Sequence, residues 1–245
     1  MSVKAKAETG IVISNAYDGV YRETAASTKV DVAQLYPGST SNLNDFYHST
    51  SSDTTRANTG AAYTSGSAWA NNTDCGNYVV HDFWIHASGA EDITVNSLNV
   101  KSLVVTFTTT TFNAETSEYE TSEATTASNE LSKSLRVGVR FGNYSASGNY
   151  FIYAPVTGAT KTYDVYGGSS GTSVSSSTFL TDMPTATNPT PDDSIASIPN
   201  NTVTDNSIHA YVYIWFEGED AACISQNIVS NLEQLSIEIA FSISD

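Results

Sequence analysis

The sequence predicts an all-β fold: a single antiparallel β-sandwich or jelly roll with long loops and one or two short connector helices. Three observations carry that reading. Apolar residues recur with period two in run after run, clusters of Gly, Ser, Asn, Asp and Pro punctuate those runs, and helical patterning is scarce. Composition agrees, since 34 of the 245 residues are Ser and 31 are Thr while only 15% are charged. A hydroxylic, charge-poor chain suits strands and turns better than solvated helices. A hydrophobic content of 40% with 11% aromatics supplies a real core and argues against disorder.

In chain order, residues 7–14 open the series with the apolar run Gly10-Ile11-Val12-Ile13. Residues 77–87 place His81, Phe83 and Ile85 on one strand face and Asp82, Trp84 and His86 on the other. Residues 93–111 hold two stretches, Ile93-Thr94-Val95 and then Leu103-Val104-Val105-Thr106-Phe107 running into four threonines. Residues 135–141 alternate Leu135, Val137, Val139 and Phe141 with Arg136, Gly138 and Arg140, which predicts a half-buried strand with its basic residues facing out. Residues 150–154, 163–166, 208–216 and 235–243 complete the set. Within 211–216, Tyr211, Tyr213 and Trp215 share one face and Val212, Ile214 and Phe216 the other. That pattern fits an aromatic platform for sugar rings, but better a central strand buried on both faces.

Helical signal is confined to connectors. Residues 128–134 suit one turn capped by Ser128. Residues 220–232 suit a short helix burying Ala222, Ile224, Ile228 and Val229. Two long loops are expected at about 39–77 and 167–206, the second holding Pro184, Pro189, Pro191 and Pro199 of the six prolines. No internal repeat or second core is visible, so residues 1–245 read as one domain.

The charge balance, 10 − 26 = −16, excludes a phosphate-backbone partner. No apolar run reaches the roughly 18 residues of a membrane span, and no secretory signal peptide precedes the alternating pattern. Chemistry-bearing motifs are missing. His81 and His86 fall on opposite strand faces, no HExxH or GxSxG pattern occurs, and the glycine-rich stretch 167–171 has no following Lys. The chain therefore reads as a non-enzyme without a cofactor. One metal hypothesis stays open: Glu217, Glu219 and Asp220 offer the hard oxygen ligands calcium prefers, without EF-hand spacing. Cys75 and Cys223 match no zinc or redox motif, and form either two free thiols or one disulfide closing a very long loop.

Residues 208–223 carry the strand Ile208-to-Phe216 followed by Glu217-Gly218-Glu219-Asp220-Ala221-Ala222-Cys223, ahead of a last strand at 235–243. This stretch resembles the ending of SipW-dependent, TasA/camelysin-like surface proteins of Gram-positive bacteria. Residues 3–14 (VKAKAETGIVIS) and 131–141 (LSKSLRVGVRF) are similar to that family as well. The resemblance implies a secreted or cell-surface jelly roll whose relatives build extracellular fibres or biofilm matrix. It also implies self-association by strand addition, with Ala7, Ile11, Val12 and Ile13 in the candidate assembly strand. The family's peptidase label finds no zinc-ligand motif here. The alternative function is a carbohydrate-binding or adhesive module that contacts glycans or other matrix components through exposed aromatics such as Trp69 or Trp215.

Overall fold

The computed structural model describes residues 1–28, 38, 40, 43, 47–49, 63–65, 78–94, 97–124, 130–142, 150–154, 165–167, 172–174, 197–202, 207–217, 220, 222–223 and 232–244. The first strands are β1 (Ser2–Ala7), β2 (Ile11–Ser14), β3 (Thr24–Thr28), β4 (Tyr47–Ser49) and β5 (Tyr63–Ser65). Next come β6 (Val79–Ala87), β7 (Ile93–Thr94), β8 (Ser97–Asn113), β9 (Glu118–Ala124), β10 (Leu135–Phe141) and β11 (Tyr150–Tyr153). The last are β12 (Val165–Gly167), β13 (Thr172–Val174), β14 (Ser197–Ile198), β15 (Ile208–Phe216) and β16 (Leu232–Ser244). The single helical element among the described residues is a 3₁₀ turn, Glu130–Ser134, leading into β10.

Two five-stranded sheets form a sandwich, with strand orders β3-β1-β16-β8-β9 and β11-β10-β15-β6-β2. Three two-stranded ribbons, β4-β5, β12-β13 and β7-β14, decorate it. Alternation decides what faces inward. In β1, Val3, Ala5 and Ala7 are buried while Lys4 and Lys6 are exposed, and in β16 Leu235, Ile237, Ile239 and Phe241 are buried. These side chains meet Ile13, Phe83, Ile85, Val137, Val139, Val212 and Ile214 of the second sheet in one hydrophobic cluster. Phe141 and Phe241 close the gap between sheets edge-to-face, with ring centroids 5.8 Å apart.

A second apolar cluster lies on the opposite face of the second sheet, where Leu43 covers Tyr78, Val80, Ile152, Tyr213 and Trp215. The middle of that sheet is thus buried on both sides. Space for the cover is made by Gly138, where a Cβ would stand 2.5 Å from Leu43 Cδ2 and 3.1 Å from the Trp215 ring. Leu43 adopts φ +56°, a left-handed backbone unfavourable for a bulky residue. Its N–H donates to Thr40 Oγ1 at 3.0 Å, and Gly38 N–H donates to Phe216 O at 3.0 Å, anchoring the cover to the sheet.

Several expectations change. β10 is not half-buried: all seven residues are buried, Arg136 and Arg140 included, because the face predicted to meet solvent is covered. The run 7–14 is two strands in different sheets, broken at residues 8–10. The sandwich is not wholly antiparallel, since β1 pairs parallel with β16. A parallel pair needs a long crossover, and nearly the whole chain separates these two strands. The expected loops contain short strands, β4 and β5 in the first and β13 and β14 in the second. Ser128 and most of the helix expected at 220–232 lie outside the described residues, although Leu232 already belongs to β16. Trp215 is fully buried, which removes it from any sugar platform, and Trp69 lies outside the described residues.

Gly138→Ala drives a methyl into the Leu43–Trp215 contact. It is expected to lower unfolding free energy by about 1–3 kcal/mol in denaturant titration, whereas substituting Gly89, whose Cβ position meets only one backbone atom at 4.0 Å, leaves stability nearly unchanged.

Candidate functional site

Three places concentrate polar or assembly-competent features. The first is β1, an interior strand of its sheet, between the edge strand β3 and the central β16. It pairs with β16 from Ser2↔Ser236 to Ala7↔Phe241 and with β3 from Ser2↔Thr28 to Lys6↔Thr24. Val3 and Ala5 are fully buried, so β1 fills a slot in the core as well as in the hydrogen-bond ladder. The chain then leaves the sheet through a tight turn. Glu8 N–H donates to Phe241 O at 2.9 Å and Ile11 N–H donates to Glu8 O at 3.2 Å. Gly10, at φ +97°, takes a backbone that other residues resist, and its Cβ position lies 3.1 Å from Ile243. The turn delivers Ile11 to the opposite sheet, where β2 pairs with β6 from Ile11↔Ala87 to Ser14↔Trp84. Of the residues predicted for assembly, Ala7 therefore stands in β1, and Ile11, Val12 and Ile13 stand in an edge strand of the second sheet.

The second place is where two of the calcium candidates sit. Glu217 and Asp220 are buried, and the structure spends their oxygens internally. Arg136 Nη2 donates to Asp220 Oδ2 at 2.7 Å, with both side chains fully buried. The same guanidinium donates from Nη1 to Lys133 O at 2.8 Å and to Leu135 O at 3.0 Å. Asp220 Oδ1 accepts the Ala222 N–H at 2.8 Å, and Glu217 Oε2 accepts the Trp215 indole N–H at 3.2 Å. Backbone bonds from Glu217 N–H to Ser134 O (2.7 Å) and from Asp220 N–H to Glu217 O (3.1 Å) complete the knot. Glu219 lies outside the described residues. Among the described residues no group of three His, Cys, Asp or Glu side chains is placed to hold a metal ion. Cys223 is buried in the core cluster beside this knot, while Cys75, and with it the pairing of the two, lies outside the described residues.

The third place is an aromatic row on the open end of the second sheet's outer face. His209 Nε2 donates to Asp82 Oδ1 at 3.0 Å. The His209 ring stacks on Trp84, with centroids 4.4 Å apart and planes 17° from parallel, and lies 3.8 Å from the Tyr211 ring. Tyr17 meets Trp84 edge-on at 6.4 Å, and Tyr21 meets the buried His86 at 4.0 Å. His86 Nδ1–H donates to Asn200 O at 2.8 Å, and His81, on the inner face, contacts Ser27 Oγ at 3.0 Å. The histidines thus serve as positioned sheet residues. Burial pushes the Tyr21 hydroxyl above its ordinary pKa, the nearby Tyr17 and Asp18 push the same way, and the Ser207 hydroxyl opposes them. Sequence periodicity had Trp84 and His86 on one face, but His209 and Tyr17 join them only through strand pairing and the loop after β2.

Set against protein-family models, curated proteins and solved structures, the chain finds no match in any of the three. Among the described residues no helix is long and apolar enough to cross a membrane.

This geometry has two measurable outcomes. Asp220→Ala strands the Arg136 guanidinium in the interior and is expected to cost about 3–5 kcal/mol in denaturant titration, while the double change Arg136→Met with Asp220→Leu recovers most of that loss. Tyr21 holds its proton more tightly folded than unfolded. Its contribution to stability is therefore complete below the unfolded pKa near 10 and is lost as pH rises through the higher folded value. Thermal melts between neutral and strongly alkaline pH should fall less steeply for Tyr21→Phe than for the unaltered chain.

Proposed function

We propose that this protein is a non-enzymatic structural protein of the cell surface, the subunit of an extracellular fibre or matrix that assembles by exchanging its first strand. One observation carries the reading: β1 occupies a slot between β16 and β3, paired on both edges and buried through Val3, Ala5 and Ala7, yet only the short turn at residues 8–10 ties it to β2. A strand so held can leave its own sheet and fill the equivalent slot of a neighbour. The same ladder bonds and core contacts are then remade between copies at little net cost, which is the physical basis of strand exchange and β-augmentation. Register is specified, because a one-residue slip would put Lys4 and Lys6 where Val3 and Ala5 belong. Residues 3–14, 131–141 and 208–223 add support through their resemblance to TasA/camelysin-like proteins. High acidity and abundant hydroxyl side chains suit a soluble precursor that assembles only when the strand is released.

The reading is tested by a reversible lock. Lys4 and Ala26 are register partners on the exposed face of β1 and β3, so Lys4→Cys with Ala26→Cys permits a disulfide that ties β1 to its own sheet. Filaments or ladders of oligomers are expected by electron microscopy and sedimentation under reduction and not under oxidation, with the unaltered chain taken through the same redox cycle as control. Equal assembly in both states overturns strand exchange.

A further inference from the structure

At β3 the first sheet ends in backbone groups that no other strand uses among the described residues. Ala7 N–H donates to Glu23 O at 2.8 Å, so Glu23, and by alternation Ala25 and Ser27, turn their backbone groups toward β1. Thr24, Ala26 and Thr28 therefore point theirs the other way, off the end of the sheet. One group meets that edge among the described residues: the Asn15 side chain, whose Nδ2 donates to Ala26 O at 2.6 Å. Asn15 is itself exposed, so this bond is a latch that can open into solvent.

Edge strands commonly carry a charge, a proline or a bulge that stops another strand from adding. β3, with the sequence TAAST and an unbroken register, has none of the three. Two of the other sheet edges are defended. β2 is bonded both ways to Arg22, with Ile13 N–H donating to Arg22 O at 2.7 Å and Arg22 N–H to Ile13 O at 2.9 Å. β9 presents Glu118, Glu120 and Glu123, which repel a second copy of themselves.

Register and charge select the occupant of the β3 edge. Two β3 strands laid antiparallel about Ala26 bring Ala26 opposite Ala26 and Thr24 opposite Thr28. These are the residues whose backbone groups face outward, so each outward N–H meets an outward C=O. Side chains agree. Thr24, Ala26 and Thr28 are exposed, and across the axis they form two Thr–Thr pairs flanking a small Ala–Ala contact. Residues 1–28 hold three cations (Lys4, Lys6, Arg22) and three acids (Glu8, Asp18, Glu23), 3 − 3 = 0, so the net −16 lies in the rest of the chain. A second copy approaching here meets a neutral segment of an otherwise acidic protein.

We propose that β3 is a self-pairing edge: two copies of this chain join antiparallel, β3 to β3 about Ala26, displacing Asn15 and merging two five-stranded sheets into one of ten strands. The contact is isologous and closes at two copies. It does not depend on strand exchange, which moves β1 and is open-ended.

The test is sedimentation equilibrium of the full chain over a concentration series at physiological salt, which screens repulsion between acidic copies beyond ~8 Å. A reversible monomer–dimer equilibrium is expected. Ala26→Pro removes an outward N–H and no bond to β1, so it should weaken dimerisation about tenfold or more while the thermal melt stays close to that of the unaltered chain. Ala26→Lys and Ala26→Glu each set like charges across the axis and should each lose the dimer. An equimolar mixture of the two should regain it, which a folding defect could not produce. Asn15→Ala frees the Ala26 carbonyl and should strengthen dimerisation about threefold to tenfold; unchanged dimerisation overturns the latch. A chain that stays monomeric throughout, a dimer that Ala26→Pro leaves intact, or charge variants that fail to restore each other overturns self-pairing. Open-ended ladders unaffected by Ala26→Pro overturn it while leaving strand exchange standing, and a closed dimer without ladders does the reverse.

Discussion

Everything around the second sheet depends on one buried ion pair, Arg136 with Asp220. A sheet with one solvated face could let Arg136 reach water, and the alternation in β10 suits that arrangement. Here the other face is covered, so the guanidinium has no route out and must find its partners inside. Desolvating it is expensive, and the cost is offset only when geometry is good and the remaining donors and acceptors are used. Asp220 Oδ2, two backbone carbonyls, and the Ala222 N–H on Asp220 Oδ1 do that. The pair also joins two segments far apart in sequence: the 3₁₀ turn leading into β10 and the residues just after β15. Next to it, Glu217 accepts the Trp215 indole N–H and pairs with Gly38 of the cover, so the cover and the ion pair are anchored within a few residues of each other.

Local pattern sets how much of this was legible. Period-two runs are local, so β6, β10, β15 and most of β16 were visible, as was the division of β15 into two apolar faces. β3 and β9 were not, because TAAST and EYETSEA carry too little apolar contrast, and each is a strand only because β1 or β8 offers it a ladder. The burial of Arg136 depends on residues near 43 and on an acid 84 positions away. Neither is inferable from alternation. The break at residues 8–10 had a signal, Gly10, but only the positive φ and the approach of Ile243 show that it switches sheets.

The candidate sites divide the same way. The acidic cluster at 217–220 stood out in the sequence, and oxygen-rich loops suggest a metal when nothing cationic is near. A buried arginine from another strand turns Asp220 to structural use and the Trp215 indole does the same for Glu217, which no reading of the loop alone could reveal. The aromatic row was half legible: Trp84 and His86 share a face by period two, whereas His209, Tyr211 and Tyr17 arrive through pairing and loop return. Trp215, outwardly the better platform residue by composition, is consumed by the cover.

The parallel pairing of β1 with β16 gives the first strand a distinct energetic character. Its ladder partners are both distant along the chain, because β16 lies at the far end of the sequence and β3 returns only after β2 has crossed to the other sheet. Closing non-local pairs carries the largest loop entropy and is late to form in folding. A strand with that property is also the one whose contacts are most readily satisfied by another molecule, since high local concentration of a neighbour substitutes for closure of the chain's own loop. Under the proposed exchange, Lys4 and Lys6 on its outer face would keep it soluble while detached, and Val3, Ala5 and Ala7 would supply small, slot-sized apolar groups rather than bulky ones that aggregate in an open state. The composition of β1 thus agrees with the proposed exchange, which asks for a strand stable when docked and tolerable when free, a pair of requirements that an ordinary core strand such as β15, with its large aromatic side chains, does not meet.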